Sequence, residues 1–149
     1  MTRMFARISR RYDLLNTVMT GGRHYAWRRT ATDMAVGGLT GVALDVATGT
    51  GDFALALARH PSVSKVIGLD FTREMLSLAE RKAQQKGLAQ RLDLVVSDAH
   101  ALPFPDDQFI CATVGFGVRN FIDVPRALQE MARVVRPGGR VVVLEIVRV

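Results

Sequence analysis

Two carboxylates bracket two glycines in Asp45-Val46-Ala47-Thr48-Gly49-Thr50-Gly51-Asp52. The apolar run from Val42 before them suits a buried parallel strand, and Phe53 to Arg59 after them suits a helix packed on a sheet. A strand, a Gly-x-Gly loop and a helix N-terminus together form a nucleotide-type binding corner. With Ala54 the glycines also fit the looser dinucleotide fingerprint, and Asp70 lies at the distance expected of a ribose-binding acid. Charge separates the possible ligands. At an effective dielectric of ~20, two unit charges ~4 Å apart interact by about 4 kcal/mol, so a pyrophosphate beside Asp45 and Asp52 is costly. A ligand carrying an ammonium and a sulfonium gains from the same carboxylates. The structural alternative is that Asp52 complements the helix dipole and Asp45 sits in a turn.

S-adenosylmethionine fits that description, and Asp-x-x-x-Gly-x-Gly is the spacing expected of its class I methyltransferase loop. Three further stretches fit it. Asp70 ends a second strand, where a carboxylate can accept both ribose hydroxyls, or else cap the next helix. Asp98 follows a third strand and can accept from the adenine amino group, while the Ala99 backbone N–H contacts the ring edge. Phe71 either walls the adenine or packs in the core. After a fourth strand comes Gly115-Phe116-Gly117-Val118-Arg119-Asn120-Phe121. Its glycines would admit a planar acceptor, and Arg119 and Asn120 would donate to a phenolate oxygen.

The elements that must position these residues can be read in order. Strands are expected at Val42–Val46, Lys65–Asp70, Leu92–Ser97, Phe109–Val114 and Val141–Val147, with helices at Phe53–Arg59, Thr72–Lys86 and Asp123–Arg136. Pro137-Gly138-Gly139 is expected to stop the last helix. Ahead of the first strand, Phe5, Ile8, Tyr12, Leu15 and Met19 recur as one helical stripe, and Tyr25–Val36 reads as a second helix. The expected fold is a three-layer α/β sandwich, Rossmann-like, with five parallel strands ordered 3-2-1-4-5. Residues 1–40 form a helical cap over the binding edge, and residues 41–149 form the core.

The chain has 149 residues, enough for one domain, and its 48% hydrophobic content marks it as globular rather than disordered. It shows no apolar run of ~18 residues and no signal-peptide core, so a cytoplasmic protein is expected. Cys111 is the only cysteine, lies in an apolar strand, and is read as packing. His24, His60 and His100 make no metal-ligand spacing, so no metal is expected. Of the net charge of +6, residues 1–40 hold +5, from seven arginines against Asp13 and Asp33. Such a basic head suits an anionic membrane surface or nucleic acid, or is simply a solvated face.

Taken together the motifs resemble the C-methyltransferases of ubiquinone and menaquinone biosynthesis. The resemblance rests on Phe5 to Asn16 (FARISRRYDLLN), Gly22 to Arg28 (GRHYAWR), Leu44 to Phe53 (LDVATGTGDF) and Gly68 to Leu76 (GLDFTREML). Asp98 to Asp106 (DAHALPFPD), Gly115 to Phe121 (GFGVRNF) and Arg136 to Glu145 (RPGGRVVVLE) continue it over essentially the whole chain. YDLLN and FGxRN are its selective parts. The resemblance implies methyl transfer from S-adenosylmethionine to a ring carbon of a prenylated quinol, demethylmenaquinol or the ubiquinone-pathway benzoquinol. It assigns cofactor roles to Thr50, Asp70, Asp98, Ala99 and Gly115, the last a position where some members carry serine. Asp45, Gly49 and Gly51 complete the expected cofactor set. Arg119 and Asn120 are the candidates for holding the phenolate, with Tyr12 a weaker one at the cap.

Family members are longer, so the core is expected to be incomplete after the fifth strand, leaving an open edge for self-association or a partner chain. A nucleic-acid methyltransferase is the competing reading, but neither an Asn/Asp-Pro-Pro-aromatic motif nor paired cysteines are present, so no nucleic acid is expected. A cofactor-binding module without full activity is the third.

Overall fold

Strand runs such as Val42–Val46 and Phe109–Val114 are apolar on both faces, which requires helices above and below the sheet they form. The computed structural model describes residues 13–19, 24–115 and 121–146. Its elements are β1 (Asp13–Met19), α1 (His24–Val36), β2 (Gly41–Val46), α2 (Asp52–Arg59), β3 (Val63–Asp70) and α3 (Arg73–Gln85). There follow a 3-10 turn (Ala89–Arg91), β4 (Leu92–Val96), β5 (Phe109–Gly115), α4 (Val124–Val134) and β6 (Val135–Ile146). The sheet order is β1-β6-β5-β2-β3-β4, and every pairing is parallel. Five of these strands, β4-β3-β2-β5-β6, are the expected ones in the expected order.

Neighbouring strand residues feed opposite faces, as the two-residue repeat demands. Ala43, Cys111 and Val142 join Ala31, Ala35, Phe53, Leu55 and Leu57 on the side of α1 and α2. Leu44, Ala112, Val141 and Val143 join Leu128 and Met131 of α4 on the other. Among the described residues no helix is long and apolar enough to cross a membrane.

The N-terminal region departs from expectation. Residues 13–19, expected in a helix, form a strand lying parallel to β6, from Asp13 opposite Arg140 to Met19 opposite Ile146. The rim of β6 presents unpaired N–H and C=O groups, and pairing with them outweighs the helical periodicity of the isolated segment. The open edge expected at the fifth strand is therefore closed from within the chain. Association through it loses its physical basis. Residues 1–12, including Tyr12, lie outside the described residues. Helix α1 packs against β5, β6 and α2, with Ala31 and Ala35 fully buried. It is thus a layer helix rather than a lid, and its packing crosses the division drawn at residue 40.

Two local devices set up the binding edge. From α4, Arg133 donates to the carbonyls of Leu102 (3.0 Å) and Phe104 (2.9 Å) and to Asp106 (2.8 Å). Glu130 accepts the Leu102 N–H at 2.8 Å, and its bond to Arg133 holds its carboxyl below the usual range. The Leu102–Asp106 segment is thereby fastened to the helix, fixing where the turn after β4 ends. The second device is Pro137-Gly138-Gly139, which lies within β6 rather than at a helix end. The ladder opposes Phe109 to Val135 and then Cys111 to Arg140, so the intervening residues bulge. A Cβ on Gly139 would stand 2.4 Å from the Ile110 carbonyl oxygen and 2.5 Å from Val135 Cγ1. Gly139→Ala is expected to lower stability by ~1–3 kcal/mol or more, because backbone cannot yield as a side chain does. Urea unfolding of the two proteins measures it.

Candidate functional site

The loops after β2, β3, β4 and β5 all leave the same edge of the sheet, where open α/β folds place their ligands. Between them lies a cleft of about 1020 Å³. Ala47, the first residue past β2, takes a left-handed φ of 53°, a conformation costly for a residue with a Cβ and characteristic of binding sites. Thr48 N–H then bonds to the Leu69 carbonyl at 2.8 Å, tying the loop to β3. Gly51 starts α2 with φ 89°, and a Cβ there would come 3.0 Å from that of Ala79. Its role is to let the loop approach α3.

Asp70 joins the loops after β2 and β3. One carboxylate oxygen accepts the Gly49 N–H at 2.9 Å, and the other accepts the Thr72 N–H at 3.0 Å. It organises the start of α3 and also lines the cleft. Asp98, past the end of β4, accepts from the His100 N–H (2.9 Å) and the His100 ring (2.7 Å). These bonds hold its carboxyl below the usual range. Phe71 is 77% exposed and lines the cleft, so it is not a core residue.

The two acids flanking the glycines are not the free anions that the charge argument assumed. Asp52 is paired with Lys82 of α3, which also donates to Thr50 Oγ1 at 3.1 Å. Asp45 is almost wholly buried, accepting from Thr48 Oγ1 at 2.6 Å and Thr113 Oγ1 at 2.7 Å. Burial pushes its carboxyl up to about 7, against the pull of both hydroxyls and with a further push from Asp70. Cys111 is removed from chemistry, because burial pushes its thiol up to about 12.

Of the expected cofactor residues, Asp45, Gly49, Thr50, Asp70, Asp98, Ala99 and Gly115 line this one cleft, whereas Gly51 faces Ala79. Gly115 has a packing reason of its own, since a Cβ there would meet Phe53 Cδ2 at 2.9 Å. Arg119 and Asn120, like Tyr12, fall outside the described residues. Arg28, Thr72, Met75, His100, Phe121 and Ile122 also line the cleft and were not singled out as site residues from the sequence. For His100 a signal existed, since an aspartate two residues before a partner commonly closes an Asx-turn.

The pattern of the ubiE/COQ5 methyltransferase family matches residues 1–149. The chain belongs to that family. It is 49% identical over 142 residues to a demethylmenaquinone methyltransferase of Thermus thermophilus, spanning 95% of this chain and 64% of that protein. A ubiquinone/menaquinone biosynthesis C-methyltransferase of Geotalea daltonii is 45% identical over 143 residues, which is 95% of this chain and 61% of the relative. The chain thus spans a little under two thirds of the length of these relatives. Among solved structures it is similar to the YcgJ protein of Bacillus subtilis, with a TM-score of 0.72 and 34% identity over 79% of this chain and 49% of that one. The sheet order and helix layers are those of a class I, Rossmann-like methyltransferase fold in this family member.

Asp45 makes a pH prediction for the ligand-free protein. Its folded value lies near 7, above the 3.8 of an ordinary aspartate. A raised folded value means that the stability contribution is full below about pH 4 and is lost as pH rises through about 7, on the order of 4 kcal/mol in all. The urea midpoint should fall between pH 5 and 8, and Asp45→Asn should flatten that fall. An unchanged profile would show that Asp45 is ionised throughout.

Proposed function

We propose that the cleft binds S-adenosylmethionine and that the protein containing this chain transfers its methyl group to a ring carbon of a prenylated quinol. The observation carrying this reading is the convergence of Gly49, Asp70 and Asp98 from three successive strand ends on one cleft beside the exposed ring of Phe71. Asp70 would accept the ribose hydroxyls. Asp98 would accept from the adenine amino group, which disfavours bases presenting a carbonyl there. Phe71 would cover the base. Near the glycine loop the ligand's positive charge meets Asp45, which a nearby cation draws toward its ionised form.

When bound, the cofactor supplies a sulfonium methyl. Gly49, Asp70 and Asp98 would hold the cofactor, and transfer would join that methyl to the ring carbon, leaving the thioether and passing the ring proton to water. The protein's share is orientation and the holding of the quinol as its phenolate. Arg119 and Asn120, which follow Gly115 in the sequence, are our candidates for that oxygen, and Tyr12 is a weaker one. The family and the names of its quinone-pathway relatives support the quinol as acceptor. The basic N-terminal stretch suits a cytoplasmic protein resting against an anionic membrane, where such an acceptor resides.

Titration calorimetry with S-adenosylmethionine tests the cofactor half. Asp70→Ala should weaken binding by roughly ten- to a hundredfold, because it removes the ribose acceptor and releases the Gly49 loop together. Asp70→Asn should lose less. Wild-type affinity in both variants would restrict Asp70 to a structural part. Transfer of a labelled methyl group to short-chain demethylmenaquinol, by this chain and by a full-length relative, tests the acceptor half. Cofactor binding with transfer by neither would leave a binding module and refute the quinol assignment.

A further inference from the structure

One imidazole touches both walls of the cleft. His100 lies in the turn after β4, and its ring Nδ1 is 2.7 Å from Asp98 Oδ1, the oxygen that also accepts the His100 backbone N–H at 2.9 Å. On the ring's far side the Asp123 backbone N–H points at Nε2, 3.1 Å away. An amide N–H can only donate, so Nε2 must be bare. The proton therefore sits on Nδ1 and is given to Asp98, and the pair is a neutral imidazole bonded to a carboxylate. Both of these bonds converge on Oδ1, and Oδ2 carries neither of them.

The opposite partner is as well fixed. Asp123 caps α4, with its carboxylate accepting the Arg126 N–H at 3.1 Å, and Arg126 Nε donates back to the His100 carbonyl at 3.0 Å. The Phe121 ring meets the imidazole edge-on, with centroids 5.8 Å apart. Phe121 and Ile122 line the cleft, and Ile122 is 97% exposed. They stand between β5 and α4, on the side where the proposed acceptor would enter.

We infer that His100 is a positioning residue that aims Asp98 at the adenine and ties it to the Phe121–Asp123 wall, so that occupation of the cofactor side orders the acceptor side. The inference rests on the cofactor reading above. Its chemistry requires a donor at one ring position and an acceptor at the other. Asparagine can reproduce only the donor toward Asp98, and glutamine reaches only the acceptor position toward Asp123.

The test combines calorimetry with S-adenosylmethionine, amide hydrogen exchange at Asp123, and the ¹⁵N signature of the His100 tautomer. The free wild-type protein should show the Nδ1–H form, and cofactor should slow exchange at Asp123. His100→Ala should weaken binding by roughly three- to tenfold and abolish the slowing. His100→Asn should restore affinity to within about twofold of wild type without restoring the slowing. That split is one a merely structural residue would not produce. His100→Gln should keep Asp123 protected in the free protein while binding as weakly as the alanine variant. Should His100→Ala fail to fold, the asparagine and glutamine pair carries the same contrast. An Nε2–H tautomer, or variants matching wild type in affinity and exchange, would overturn the inference alone. A wild-type chain that binds no S-adenosylmethionine would overturn the cofactor reading and this inference with it.

Discussion

Asp70 holds the binding edge together by giving each of its oxygens to a different loop. The Gly49 N–H at 2.9 Å and the Thr72 N–H at 3.0 Å belong to segments that leave adjacent strands, and neither has a helical partner of its own. Without that carboxylate two backbone donors at the mouth of a cleft would need other acceptors, and unsatisfied ones are costly. The pairing of β2 with β3, Asp45 opposite Gly68 and Val46 opposite Leu69, brings the two loops within reach. Gly51 then lets α3 approach the loop, and α3 brings Lys82 to Asp52 and Thr50. This bridge and the register beneath it fix the half of the edge formed by the loops after β2 and β3.

The cleft's electrostatics follow a common rule, in which each acid around it is already engaged by the protein. Asp52 has Lys82, Asp45 has two threonine hydroxyls, Asp70 has two backbone amides, and Asp98 has His100. A carboxylate oxygen has two lone pairs, so most of these acids can still accept from a ligand while their orientation is set beforehand. Such a site recognises hydroxyl and amino donors and tolerates a cation. Its charge contrast with a pyrophosphate site survives, but it rests on pre-positioned acceptors more than on two bare anions.

Much of this was legible because local pattern and tertiary context agreed. The five core strands, their order and the helices between them follow from apolar runs and glycine loops, and seven of the eight residues expected to hold a cofactor line one cleft. The residues that misled are those where context overrode pattern. Residues 13–19 carry a helical spacing, yet an unpaired sheet edge turns them into β1. Pro137-Gly138-Gly139 reads as a helix stop, yet α4 ends at Val134 and the glycines serve a bulge against Ile110. Gly115 reads as room for a substrate, and its missing Cβ is the space into which Phe53 packs. Contacts across 23 to 32 residues of sequence, such as Asp123 with His100 or Lys82 with Thr50, carry no local signature at all.

The central claim is that this corner, despite a glycine pattern shared with dinucleotide sites, is built for an adenosyl sulfonium. Parallel calorimetric titrations of the chain with S-adenosylmethionine and with NAD test it most directly. The account predicts saturable one-site binding of S-adenosylmethionine and no heat above dilution with NAD. Saturable binding of NAD with none of S-adenosylmethionine would contradict it.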